Sequence, residues 1–250
     1  MSKVFAIAMV KDEEDIIKYT IEHLLCEDID NFIILDNMSS DGTRDILEDL
    51  AREHKNILIE DDLEVAYYQS LKMTNLANKA VSNGADWIIP FDADEVWYAT
   101  SGETLGSELR SLSKPIVVAK VFDHFPTSDD PVGDNPIKTI LHKEPLPEFW
   151  PCVAFRAEDD FEILQGNHNV IRSGERNYSA VEIRHFQYRS FEQFKRKLRN
   201  GKIAYDATNL PEGEGAHWRQ MGALDDDSLF QLWQDFLSTD MILDPAPTRS

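Results

Sequence analysis

Ile88-Ile89-Pro90-Phe91-Asp92-Ala93-Asp94-Glu95 is the stretch that decides the fold. A short unbroken apolar run reads as a strand covered on both faces. It ends on two carboxylates two residues apart, at the strand end where open α/β sheets bind ligands. Carboxylates so placed can hold a hard divalent cation through oxygen and leave positions open for a diphosphate. The plainer reading of the same residues is a solvated turn.

Three similar units precede this stretch. Val4–Val10 is another nearly continuous apolar run. Ile16, Ile17, Ile21, Leu24 and Leu25 then recur at helical spacing from Asp12 to Cys26. Phe32-Ile33-Ile34-Leu35 predicts a second strand, which ends in the polar loop Asp36-Asn37-Met38-Ser39-Ser40-Asp41-Gly42-Thr43. In that loop Asp41 or Thr43 can cap a helix carrying Ile46, Leu47, Leu50 and Ala51, and Gly42 permits a tight turn. Asn56–Glu60 predicts a strand, Ala66–Ser82 a helix and Trp87–Phe91 the fourth strand. The order β-α-β-α-β-α-β predicts an α/β fold with a mostly parallel sheet and helices on both faces.

The second half predicts antiparallel additions to that sheet. Strands are expected at Ile116–Phe122, Ile137–His142, Cys152–Arg156 and Val181–Tyr188, with a long loop over Asp123–Asn135. Helices are expected at Phe191–Arg199 and Ser228–Leu237, the latter with Phe230, Trp233 and Phe236 or Leu237 inward. Together these predict one domain over 1–240, divided into 1–98 and 99–240, with a flexible tail at 241–250.

Length and composition set outer bounds. The chain has 250 residues, 42% hydrophobic and 28% charged, which excludes a disordered chain, a collagen-like fibre and a membrane bundle. Lys and Arg total 25 against 46 Asp and Glu, a net charge of −21. That excess repels polyanions and argues against a general nucleic-acid or anionic-membrane binder. No run approaches the ~20 apolar residues of a membrane span, and the first apolar run is too short for a signal-peptide core. A cytoplasmic location is expected. The two cysteines, Cys26 and Cys152, have no CxxC spacing and read as small core residues.

Val10-Lys11-Asp12-Glu13-Glu14, the loop 36–43 and Asp92-Ala93-Asp94-Glu95 occur in the order found in family 2-like glycosyltransferases of GT-A fold. The chain most resembles the branch that reads D-N-x-S-x-D-G-T and D-x-D-E. Gly166-Asn167-His168 and the block from Arg184-His185-Phe186 through Tyr188-Arg189-Ser190 to Lys197 resemble its later motifs. The resemblance implies transfer from a nucleotide-sugar donor to an acceptor hydroxyl, with inversion, using Mn²⁺ or Mg²⁺. It implies Asp92 and Asp94 beside the ribose and the metal-bridged diphosphate, with His185 completing the metal shell.

His168 falls near the acidic pair that supplies the base in many relatives. A histidine can serve there near neutral pH, with Glu95 as the fallback. Asp36 and Asn37 are expected at the nucleoside, and Arg189 and Lys197 at the diphosphate. The acceptor type is open. Against this stand a haloacid-dehalogenase-like phosphatase with Asp92 as nucleophile, and a non-catalytic nucleotide-sugar-binding module. The phosphatase motif normally opens its domain, whereas three βα units precede Asp92 here. For His168, His185 and the basic residues of 189–202, the bland alternatives are turn, strand-edge and solvated-face positions.

Overall fold

Alternate residues of the first strand, β1 (Val4–Val10), enter two different cores. Val4, Ala6, Ala8 and Val10 pack with Ile17, Ile21 and Leu24 of α1 (Ile17–Cys26) and Leu47 and Leu50 of α2 (Thr43–Glu53). Phe5 and Ile7 pack on the other face with Met73, Leu76, Ala77 and Ala80 of α3 (Gln69–Ser82). The apolar run is continuous because both faces are covered. The computed structural model describes residues 2–158, 160–237 and 240–244.

Around β1 lie β2 (Asn31–Asp36), β3 (Ile57–Asp61) and β4 (Trp87–Pro90), all parallel. The chain continues through β5 (Glu95–Ala99), α4 (Leu105–Ser111), β6 (Ile116–Asp123), α5 (Pro136–Thr139), β7 (His142–Lys143) and β8 (Cys152–Arg156). Next come β9 (Glu162–Ile163), a 3-10 turn at Gln165–Asn167, β10 (Val170–Ile171), β11 (Arg176–Asn177) and β12 (Val181–His185). The last elements are α6 (Phe191–Asp206), α7 (Ala216–Met221), α8 (Asp226–Leu237) and β13 (Ile242–Leu243).

The main sheet has the order β3-β2-β1-β4-β8-β6-β12-β5, with β11 also on β6. Strand β8 is antiparallel to β4 and β6, and β5 is antiparallel to β12; the remaining pairs are parallel. The expected α/β architecture is therefore present, and one sheet runs through both halves of the chain. Strand β6 joins its two parts. Residues 116–119 pair with β8, and 120–123 pair with β12.

Several local expectations are corrected. The strand expected at 137–142 begins instead with α5, because Asn135 accepts a hydrogen bond from the Ile137 amide at 3.1 Å and Pro136 is preset for a first helical position. Ile137 and Ile140 are both buried, an i, i+3 pair that the alternation argument mistakes for a strand. Strand β5 and helix α4 have no counterpart among the elements expected from the sequence. In α8 Leu229 and Trp233 are buried and Phe236 and Leu237 pack against the same core, whereas Phe230, expected inward, is exposed. Cys26 is exposed, so only Cys152 is a core residue. Gly42 has a φ of −73°, so it is not needed for a left-handed turn; a Cβ there would lie 2.8 Å from Glu14 Oε2. Ile242 and Leu243, within the expected tail, pair with β7, and 245–250 lie outside the described residues. Among the described residues no helix is long and apolar enough to cross a membrane.

Candidate functional site

Strand β1 is hydrogen-bonded to β2 on one side and β4 on the other, so the carboxyl ends of all three open on one edge. A cleft of about 1400 Å³ lies there. Lys11, Asn37, Asp92 and Asp94 line it from the strand ends. His168, His185 and Lys197 line it from the second half of the chain. Helix α6 supplies the far wall. Its N-cap Ser190 accepts from the Gln193 amide, and Phe194 and Leu198 pack into a third core with Phe125, Tyr188, Leu229 and Trp233. That packing turns Lys197, Asn200, Gly201 and Ala204 toward the cleft.

Asp94 is the electrostatic centre. Its Oδ2 accepts from Lys197 Nζ, with Arg189 Nη1 3.7 Å away, and its Oδ1 lies 3.6 Å from His185 Nε2. Burial alone would raise the carboxyl, but Lys197, His185 and Arg189 outweigh it and hold Asp94 at about 2. His185 Nδ1 donates to Asp123 Oδ1 at 2.6 Å. Burial opposes its charge, yet Asp123 and Asp94 raise the imidazole to about 10. The free protein therefore carries an imidazolium here at neutral pH.

Asp92 behaves oppositely. Burial, then the nearby Glu95 and Asp94 charges, pushes its carboxyl well above the ordinary range. Its Oδ1 accepts from Asn167 Nδ2 at 3.0 Å. Asn167 and Gly166 have φ of 57° and 76°. This tight turn brings the His168 ring so close to Gly166 that a Cβ there would meet it at 2.4 Å. Only glycine fits without a shift of the ring. With Nδ1 donating to the Pro151 carbonyl at 3.1 Å, His168 keeps Nε2 as an acceptor. Burial lowers its pKa, which keeps the imidazole neutral. Trp150 stacks on it at 5.7 Å.

Three of the expected site residues lie off the cleft wall. Asp36 turns back to its own loop, accepting from the Ser39 amide at 3.2 Å. Glu95 is buried, and its oxygens accept from Trp97 Nε1 at 2.9 Å, the Asp92 amide at 3.1 Å and Cys152 Sγ at 3.1 Å. Arg189 lies beneath the site, donating to Glu13 at 2.5 Å, to Asp15 at 2.8 Å and to the Phe186 carbonyl at 2.8 Å. The structure brings together Asn37, Asp92, Asp94, His168, His185 and Lys197.

Sequence reasoning missed Asn200, which donates to Asp12 Oδ2 at 2.6 Å, and Lys11, whose ammonium caps the Asn37 and Met38 carbonyls at 2.8 and 2.9 Å. Gln193, Lys197, Asn200 and Ala204 recur at helical spacing, a signal that picks out the inward basic residue. Trp150 carried no such signal.

Among the described residues, no three His, Cys, Asp or Glu side chains gather as a group that could hold a metal ion. No family model matches the sequence, and no curated protein matches it. Solved structures do resemble the fold. A mannosyltransferase from Pyrobaculum calidifontis in complex with GDP-Man and Mn²⁺ is 13% identical, with 93% of this chain and 73% of that chain covered and a TM-score of 0.48. S. aureus TarS 1–349 in complex with UDP-GlcNAc is 14% identical over 88% of this chain and 70% of that one, with a TM-score of 0.45. A 4-diphosphocytidyl-2C-methyl-D-erythritol synthase is 12% identical over 63% of this chain and 76% of its own, with a TM-score of 0.41. With every one of these scores under 0.5, the likenesses carry no inference about chemistry.

Proposed function

We propose that the protein is a glycosyltransferase that moves a sugar from a nucleotide-sugar donor to an acceptor hydroxyl with inversion, through a GT-A-like domain. One observation carries this reading. Residues at positions 37, 92, 94, 168, 185 and 197, brought from separate segments of chain, line a single cleft at the carboxyl ends of parallel strands. Asn37 sits at the β2 end, where the nucleoside is expected. Lys197 and Asp94 sit at the position for the diphosphate. His168 lies on the other wall, with a free Nε2 for the acceptor hydroxyl's proton.

A divalent cation suits this cleft as an ion shared with the donor, not as one in a protein-only cage. Magnesium-type ions are commonly held by one or two carboxylates together with substrate phosphates. Asp94 Oδ1 and His185 Nε2, 3.6 Å apart, are close enough to share an ion, and Lys197 already sets a positive charge against the other oxygen of Asp94. His185 would give up its Nε2 proton on binding one. Such an ion, Mn²⁺ or Mg²⁺, would stabilise the leaving diphosphate. Burial and the Glu95 and Asp94 charges disfavour the ionised form of Asp92. This disfavours the phosphatase alternative, which needs Asp92 as an ionised nucleophile.

The test is a panel of nucleotide sugars with Mn²⁺, read by thermal shift and by release of nucleoside diphosphate. At least one donor should raise the melting temperature and be consumed. His168→Ala should lower kcat by roughly 10²–10⁴-fold with donor affinity nearly unchanged. A panel that yields neither binding nor release overturns the reading.

A further inference from the structure

Lys197 is placed where it competes with any cation for Asp94. Its ammonium bonds Asp94 Oδ2 and lies 3.4 Å from Glu13 Oε1, so two carboxylates converge on it. Its neighbour Arg189 is fixed by four bonds to Glu13, Asp15 and the Phe186 carbonyl. Lys197 has no comparable anchor. Its side chain is 21% exposed on the cleft wall, and a lysine head on a four-carbon stem can reach a new partner without moving the helix. Arg189 holds Glu13 in place and lies 3.7 Å from Asp94 whichever cation faces them.

A divalent ion on Asp94 Oδ1 and an ammonium on Oδ2 of the same carboxylate repel each other strongly. A donor diphosphate changes that balance, because its oxygens offer the ammonium a second anionic partner a short distance away. Resting on the donor reading above, we propose that Lys197 is an exchangeable counter-ion. It neutralises Asp94 through Oδ2 in the free protein and moves to the donor diphosphate when a divalent cation and donor bind together. The exchange makes the two ligands mutually dependent. By linkage, each raises the other's affinity by the same factor.

Calorimetric titration of Mn²⁺ into the whole protein tests this, alone and with UDP, GDP, ADP or CDP present. The wild type should bind Mn²⁺ weakly alone and more tightly beside the diphosphate that fits. Lys197→Met should bind Mn²⁺ alone about tenfold more tightly or better, since the competing charge is gone. It should also lose most of the gain from the diphosphate. Lys197→Arg, which keeps the charge, should resemble the wild type. Equal Mn²⁺ affinity in wild type and Lys197→Met, or no Mn²⁺ binding to either, overturns the exchange. If Lys197→Met does not fold, the wild type alone still decides, because a Mn²⁺ affinity that a bound diphosphate leaves unchanged overturns the coupling. A wild type that binds none of the four diphosphates at any Mn²⁺ concentration counts against the donor reading itself, while a shifted Mn²⁺ affinity in Lys197→Met would still show that Lys197 opposes the cation at Asp94.

Discussion

Two acidic loops leave the same edge of the sheet, 36–43 after β2 and 92–95 after β4, and they find their partners differently. In the first, Asp36 accepts from the Ser39 amide at 3.2 Å, and Asp41 from the Thr43 amide at 2.9 Å and the Glu14 amide at 3.3 Å. The Gly42 amide in turn donates to Glu14 at 2.8 Å. These acids pin a turn to the adjoining loop. In the second, Asp92 is met by Asn167, 75 residues away, and Asp94 by Lys197, 103 residues away. A carboxylate held by the amides of a turn is part of the scaffold. One held by side chains across a cleft can exchange partners for a ligand. Similar strand-end chemistry thus yields a structural loop and a candidate reactive one, according to where the partners originate.

The sharpest way to break this comparison is Asp94→Asn. The change is nearly isosteric but removes the charge that Lys197, Arg189 and His185 surround. Breaking a buried ion pair from one side costs about 3–5 kcal/mol. Urea unfolding should show a loss of that order, and Mn²⁺ should no longer gain affinity from a nucleoside diphosphate. Asp41→Asn, in the scaffold loop, should cost about 1 kcal/mol and leave ligand binding alone. Equal stability losses in the two variants would erase the distinction.

A somewhat smaller effect separates the loops by pH. Asp123 and Asp94 both face His185, and the folded imidazole titrates near 10 against an ordinary value of 6.5. The folded pKa is raised, so its stabilisation is fully present below about pH 6.5 and is lost as pH climbs through about 10. Unfolding free energy should fall by about a few kcal/mol across that window. His185→Gln should flatten the slope. A slope that persists in the variant would assign the dependence to other groups.

The sheet was legible because β1, β2 and β4 are apolar runs long enough to identify and short enough to exclude helices. The D-A-D-E end of β4 was legible for the same reason, since a strand fixes the direction in which the next residues leave the sheet. Residues that act through distant contacts were not. Arg189 and Lys197 stand in one basic block; helical spacing picks out Lys197, but nothing local marks Arg189 as the buried hub. Asn167 carries no local signal beyond its place in the Gly166-Asn167-His168 block, yet it is the link from Asp92 to the segment carrying His168. Short pieces such as α5 are easily misread, because two apolar residues three apart fit more than one local structure once proline and an Asn cap are present.

Within the scaffold loop the comparison can be drawn between neighbours. Asp36 and Asn37 are adjacent, but only Asn37 lines the cleft. Asn37 Nδ2 donates to Asp62 Oδ2 at 2.7 Å and to the Glu64 carbonyl at 2.8 Å, which holds the β3 end beside it. Asp36 serves the Ser39 amide and lies 3.7 Å from Arg44. Asp36→Ala should therefore lower stability by about 1 kcal/mol, the ordinary value of one hydrogen bond, with nucleotide affinity nearly unchanged. Asn37→Ala should lower nucleotide affinity by about 1 kcal/mol and stability by a similar amount. Calorimetry of the same nucleotide with both variants decides between them. If Asp36→Ala weakens binding more than Asn37→Ala, the carboxylate of this loop reaches the ligand after all, and its turn contacts are secondary to that role.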